Sequence, residues 1–187
     1  MQLFANALLR LLGWRLAGPF PAVPRSVVIA APHTSNLDVP LCVIAAYALG
    51  VRIRFLVKHT AFRGPFGPML RWIGAIPVHR DHARRAHGLV ADAVDAFRTE
   101  GSLHLALAPE GTRGKVRYWK RGFYEIARAA GVPLVLAFID YRERRVGVGP
   151  AFDLSGDVQA DMTRLREYYG AFTARHPDRV GPVELRG

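Results

Sequence analysis

The sequence holds one cysteine, Cys42, so no internal disulfide can staple it and a reducing compartment is expected. Lysine is nearly as scarce. Of 26 basic residues only Lys58, Lys115 and Lys120 are lysines, and against 15 acids the basic residues leave a net charge of +11. No apolar run reaches the roughly 20 residues that a membrane-spanning helix needs. There is no Gly-x-Ser-x-Gly turn, which counts against a serine hydrolase of the elbow type. Aromatic residues are not interleaved with arginine in a strand platform, so nucleic acid is not the expected polyanion. His79, His82 and His87 with Asp81 match no common metal-ligand spacing, and no metal site is expected.

What is present is a foldable domain. Half of the 187 residues are hydrophobic and 22% are charged, a balance that excludes a disordered tail. The arginines are spread along the chain rather than gathered in a run, which suits a broad basic face meeting an anionic bilayer or a phosphorylated substrate. Residues 3–16, LFANALLRLLGWRL, predict an amphipathic helix lying in the lipid interface. Trp14 would sit at headgroup depth, with Arg10 and Arg15 reaching for phosphates. The arginines inside this stretch do not fit a secretory signal. The alternative is a helix packed on the domain's own core. Residues 1–17 are therefore expected to form a membrane-surface helix and residues 18–187 one further domain.

Along that domain, short apolar runs alternate with segments of helical spacing. Strands are predicted at 26–31, 52–58, 75–78, 102–108, 133–139 and 145–149, and helices at 39–49, 66–73, 83–98, 122–130 and 158–175. The last helix would turn Val158, Met162, Leu165, Tyr169 and Phe172 inward. Such alternation predicts an α/β fold, a single-domain sandwich of a mixed, largely parallel sheet flanked by helices.

In such folds ligands gather at the carboxyl ends of strands, and two polar loops fall there. The first is Pro32-His33-Thr34-Ser35-Asn36-Leu37-Asp38. A histidine is well suited to take a proton from a hydroxyl at neutral pH, and Asp38 could fix its tautomer and stabilise the imidazolium. Read blandly, the same residues merely cap the next helix. The second loop is Pro109-Glu110-Gly111-Thr112-Arg113-Gly114-Lys115, in which Arg113 can grip a phosphate with two parallel hydrogen bonds. Its glycines let backbone amides approach an anion. A third cluster, Gly74-Ala75-Ile76-Pro77-Val78-His79-Arg80, puts Arg80 just past a short strand.

Taken together, these clusters resemble the blocks of the glycerolipid acyltransferase family, which includes the lysophosphatidate (1-acylglycerol-3-phosphate) acyltransferases. His33 to Asp38 matches its His-x4-Asp block and Gly74 to Arg80 its Gly-x-hydrophobic-x-hydrophobic-x-Arg block. Glu110-Gly111-Thr112-Arg113 matches its Glu-Gly-Thr-Arg block, and Val132-Pro133-Leu134 opens its Val-Pro-hydrophobic strand. The blocks follow the family order over about residues 26–150. Two positions depart from it: Pro32 stands where many relatives have asparagine, and Leu136 where a second proline is usual.

The resemblance implies that His33 is the general base and Asp38 its partner. It implies that Arg80 and Arg113 hold the acceptor's phosphate while Glu110, Gly111 and Thr112 shape the acceptor pocket. Lys58 and Lys120 are further candidate anion contacts. The donor would be acyl-CoA or an acyl carrier protein thioester, and the acceptor a lysolipid. Transfer would be direct, with no metal or cofactor, at the cytoplasmic face of an anionic membrane. A lipid-binding relative without catalysis is the alternative of a different class, and an acyltransferase with another lipid acceptor the nearer one.

Overall fold

The computed structural model describes residues 1–78 and 87–185. Helices α1 (Gln2–Leu11), α2 (Asp38–Leu49), α3 (Gly67–Trp72), α4 (His87–Thr99), α5 (Gly122–Ala130) and α6 (Val158–Gly170) surround the sheet strands. These are β1 (Arg15–Ala17), β2 (Arg25–Ala30), β3 (Ile53–Lys58), β4 (Ala75–Val78), β5 (Leu103–Leu107), β6 (Leu134–Asp140) and β7 (Arg145–Phe152). They lie in the order β1-β7-β6-β2-β5-β3-β4. Among the described residues only the β6–β7 pairing is antiparallel, so the sheet is mixed and largely parallel as the alternation predicts.

Successive side chains of a strand face opposite ways, and β2 shows what that demands at the centre of a covered sheet. Val27 and Ile29 join one core cluster with Phe97 of α4, Phe123 and Ile126 of α5, and Leu165 of α6. Val28, between them, faces the other side with Val135 and Val148. A strand buried on both faces reads as an unbroken apolar run, which is why Ser26-Val27-Val28-Ile29-Ala30 was legible as one. The second face is closed by α1 and α2, through Ala5, Leu9, Leu41, Ala45 and Ala48 packed on Ile139 and Val146. The result is a three-layer α/β/α sandwich. Helix α2 stops at Gly50 and α5 at Gly131, both glycines in the left-handed region that a Cβ disfavours.

Three differences from the sequence reading have physical causes. Helix α1 ends at Leu11, and residues 15–17, expected to continue it, instead form β1 beside β7. Gly13, at φ 75°, makes the turn between the two elements. Trp14, expected at headgroup depth, is buried and packs edge-on against Tyr141 with ring centroids 5.0 Å apart. Helix α6 ends at Gly170 instead of continuing to residue 175, and its inner face also carries a buried acid. That residue, Asp161, accepts the Tyr124 hydroxyl at 2.9 Å and the Ser155 N–H. Among the described residues no helix is long and apolar enough to cross a membrane.

Candidate active site

His33 follows the carboxyl end of β2 and Asp38 opens α2, so the five-residue separation is spanned by a tight loop. His33 Nδ1 lies 3.1 Å from Asp38 Oδ2. A carboxylate can only accept, so the shared proton sits on Nδ1 and Nε2 is the nitrogen left to act as base. The His33 side chain is 13% exposed and that of Asp38 2%, which leaves the base reachable while its partner is sealed.

Asp38 is also the organiser of its own loop. The Thr34 and Ser35 N–H groups donate to Oδ2 at 2.9 and 2.8 Å, and the Tyr141 hydroxyl donates to Oδ1 at 2.6 Å. Burial pushes this carboxyl up, but the hydrogen bonds from His33, Tyr141 and Ser35 outweigh it and hold the group below the usual aspartate value. Asp38 therefore stays an anion beside the imidazole. The loop is tied from two more directions. His33 N–H donates to Glu110 Oε1 at 3.0 Å, and His176 N–H donates to Thr34 Oγ1 at 3.2 Å.

Glu110 thus joins the two loops that the sequence singled out. It is buried, its Oε2 has no hydrogen-bond partner, and burial raises its carboxyl above the usual glutamate value despite the His33 N–H. Gly111, at φ 65°, lies directly under the Lys120 ammonium, where a side chain would displace the lysine. Thr112 is exposed, and its Oγ1 accepts the Gly114 N–H at 3.3 Å. Arg113 is exposed and has no hydrogen-bond or ion-pair partner among the described residues. Lys58 closes β3, but its side chain lies outside what is described, and Arg80 lies outside the described residues altogether.

Cys42 shares a small cavity with His33, Asp38 and Pro32, too tight for a substrate. Burial and the nearby Asp38 push its thiol up to about 12, so it is a poor nucleophile. Leu136 is a core residue of β6.

Two contributors escaped the sequence reading. Tyr141 follows β6, the strand beside β2, and an ionisable side chain at the carboxyl end of a neighbouring strand was the signal available. Trp119 is buried against Phe123 and Tyr169, and its backbone N–H donates to the Glu184 carbonyl at 2.6 Å. It anchors the loop that carries Glu110 and Arg113. No single-sequence pattern marks it.

The carboxyl edge of the sheet thus holds a reachable imidazole fixed by a buried carboxylate. The sequence profile of the Acyltransferase family matches residues 20–139, which include both loops, and the chain belongs to that family. It is 30% identical over 127 residues to the 1-acyl-sn-glycerol-3-phosphate acyltransferase of Escherichia coli strain K12, a match covering 66% of this chain. The chain spans about half the length of that relative, 50%. The fold is similar to the crystal structure of the 1-acyl-sn-glycerophosphate (LPA) acyltransferase PlsC from Thermotoga maritima, with a TM-score of 0.63 at 18% identity. That likeness covers 93% of this chain and 80% of the other.

Proposed function

We propose that the protein transfers a fatty acyl group from an acyl thioester, of coenzyme A or an acyl carrier protein, to the hydroxyl of a lysophospholipid such as 1-acylglycerol-3-phosphate. The observation that carries this reading is the His33–Asp38 pair, with Nδ1 held by the carboxylate and Nε2 free to work. Nε2 takes the hydroxyl proton as the acceptor oxygen bonds to the thioester carbonyl carbon. Asp38 stabilises the imidazolium so formed. Collapse of the tetrahedral species breaks the carbon–sulfur bond, and His33 returns its proton to the departing sulfur.

Arg113, exposed on the loop that Glu110 ties to His33, is the natural grip for the acceptor's phosphate, with Arg80, Lys58 and Lys120 as further cations. Glu110, Gly111 and Thr112 form the floor on which the acceptor sits. No step calls for a metal or cofactor. The outward face of α1, with Leu3, Phe4 and Leu11 exposed, supports a protein resting on the cytoplasmic face of an anionic membrane.

The test is thiol release from palmitoyl-CoA with a panel of lysolipids, repeated with a carrier-protein thioester. Acceptor-dependent release that falls about 10²–10⁴-fold in His33→Ala is expected, the usual scale for losing a general base. Near-full turnover in that variant would remove His33 from the mechanism. Binding of lysolipid with no release from either donor would leave a lipid-binding protein without catalysis.

A further inference from the structure

The carboxyl edge of the sheet carries a second basic feature that the scheme above does not use. An open groove of about 450 Å³ is lined by Arg10, Gly13, Trp14, Arg15, Arg142, Glu143 and Arg144. Four arginines face one acid. Glu143 is half-occupied by its neighbour, with its carboxylate 3.6 Å from Arg142 Nε.

The groove is built, not a chance crowding of surface arginines. Its far wall is the turn between β6 and β7, and buried Asp140 holds that turn by accepting the Arg142 and Glu143 N–H groups at 3.2 and 3.4 Å. The near wall is locked to it, since Arg15 N–H donates to the Arg144 carbonyl at 2.9 Å and the Arg15 guanidinium to the Glu143 carbonyl at 3.3 Å. Arg144 has φ 49°, the one non-glycine residue in the left-handed region among those described. Glycine or asparagine would suit that turn better; here the arginine's guanidinium lies against Gly13.

Strand order gives the groove its meaning. His33 follows β2, with β5 on one side and β6 on the other. The loop with Glu110 and Arg113 follows β5, whereas the arginine groove stands over β6, β7 and β1. Two anionic substrates brought to one base repel each other, and cation sites on opposite flanks of His33 separate them. The groove is also linked to the base by direct contact. Trp14 packs on Tyr141, Tyr141 donates to Asp38, and Asp38 holds His33.

We propose that this groove binds the phosphate groups of the thioester donor, taking the diphosphate and ribose phosphate of a coenzyme A handle while the acceptor's phosphate lies on the Arg113 flank. The proposal rests on the acyl-transfer reading. One lipid phosphate is satisfied by one or two guanidinium groups; four arginines around one opening match a ligand bearing several phosphates.

The experiment is calorimetric titration of the full chain with free coenzyme A, which has no acyl group to transfer, and with pantetheine, which has no phosphate. The variant is Arg142→Gln with Arg144→Gly. Glycine suits the backbone at 144, so the charge goes without loss of fold. Arg98→Gln with Arg128→Gln, in the last turns of α4 and α5, removes the same two charges away from the groove. Coenzyme A binding should weaken roughly tenfold or more in the double variant, the scale of lost charge-assisted hydrogen bonds. It should hold in the Arg98→Gln, Arg128→Gln control, and pantetheine should not distinguish the proteins.

Coenzyme A binding that is absent, or equal in the double variant and the parent, overturns the proposal. Loss confined to sedimentation with phosphatidylglycerol vesicles overturns it too, in favour of a lipid-headgroup site. Turnover with a carrier-protein thioester but no coenzyme A binding would sink this inference and leave the acyl-transfer reading intact. Groove-dependent coenzyme A binding with no acylation of any lysolipid would do the reverse.

Discussion

The Tyr141 hydroxyl donates a 2.6 Å hydrogen bond to Oδ1 of Asp38, the oxygen that His33 does not use. The carboxylate is therefore saturated, with three donors on Oδ2 and one on Oδ1. Tyr141 is itself held by Trp14 below it, and by its N–H, which donates to the Thr173 carbonyl at 2.8 Å. In the proposed mechanism it acts through Asp38, as a positioning residue.

Tyr141→Phe keeps the ring contact with Trp14 and removes only the donor. A buried oxygen left without its partner costs about 1–3 kcal/mol, and that strain falls on the group that aims His33. We expect kcat to fall about tenfold with KM little changed, as when an interaction made in the transition state is lost. The check is a double-mutant cycle with Asp38→Asn. Once the carboxylate is gone, Tyr141→Phe should cost little more. Full additivity would show that the tyrosine does not work through Asp38.

The same bonds set an acid limit on stability. Asp38 has its folded value below its unfolded one, so its contribution is complete above the ordinary aspartate range, about pH 4. It is lost as the pH falls through the lower, folded value. Tyr141→Phe weakens the hold on the anion and should move the midpoint of acid unfolding upward. Acid-titration curves followed by circular dichroism that overlay for parent and variant would refute this.

Glu110 has the opposite sign. Burial raises its carboxyl, so stability is complete below the ordinary glutamate value and is lost as the pH rises through the folded one. Glu110→Gln retains an oxygen for the His33 N–H and never ionises. Its melting temperature should gain on the parent's between about pH 4 and pH 7, where ordinary carboxylates have given up their protons. If Glu110 shapes the acceptor pocket as proposed, activity should fall meanwhile. A melting difference that is flat with pH would show that Glu110 is not a buried acid under strain.

How much of this was legible in the sequence follows from how local each feature is. The His33–Asp38 pair and the Glu110–Arg113 loop are contiguous motifs, and the apolar run at β2 is buried on both faces, so short-range pattern was enough. The His33 N–H bond to Glu110 spans 77 residues and the Tyr141 bond to Asp38 spans 103. No periodicity encodes such pairings; strand order alone produces them. Residues 15–17 misled for a related reason. Three residues are too few to show a strand's alternation, and only the partner strand β7 makes them one.

That correction changes how membrane attachment must be tested. Deleting residues 1–17 would strip Ala5, Leu9 and Trp14 from the core and β1 from the sheet, so lost liposome binding would report unfolding. Helix α1 offers a cleaner handle, since its two faces have different jobs. Leu9 is 1% exposed, whereas Leu3 is 88% and Leu11 84% exposed. Replacing Leu3, Phe4 and Leu11 together by glutamine touches only the outward face. The melting temperature should hold to within a few degrees, as expected for surface changes of about ±0.5 kcal/mol each. Each apolar side chain withdrawn from the interface removes up to about 1.5–3 kcal/mol of transfer free energy. Sedimentation with anionic liposomes should therefore fall at least tenfold, and the parent's binding should weaken as salt is raised. Equal sedimentation of the folded variant would mean that the exposed leucines of α1 meet something other than a bilayer.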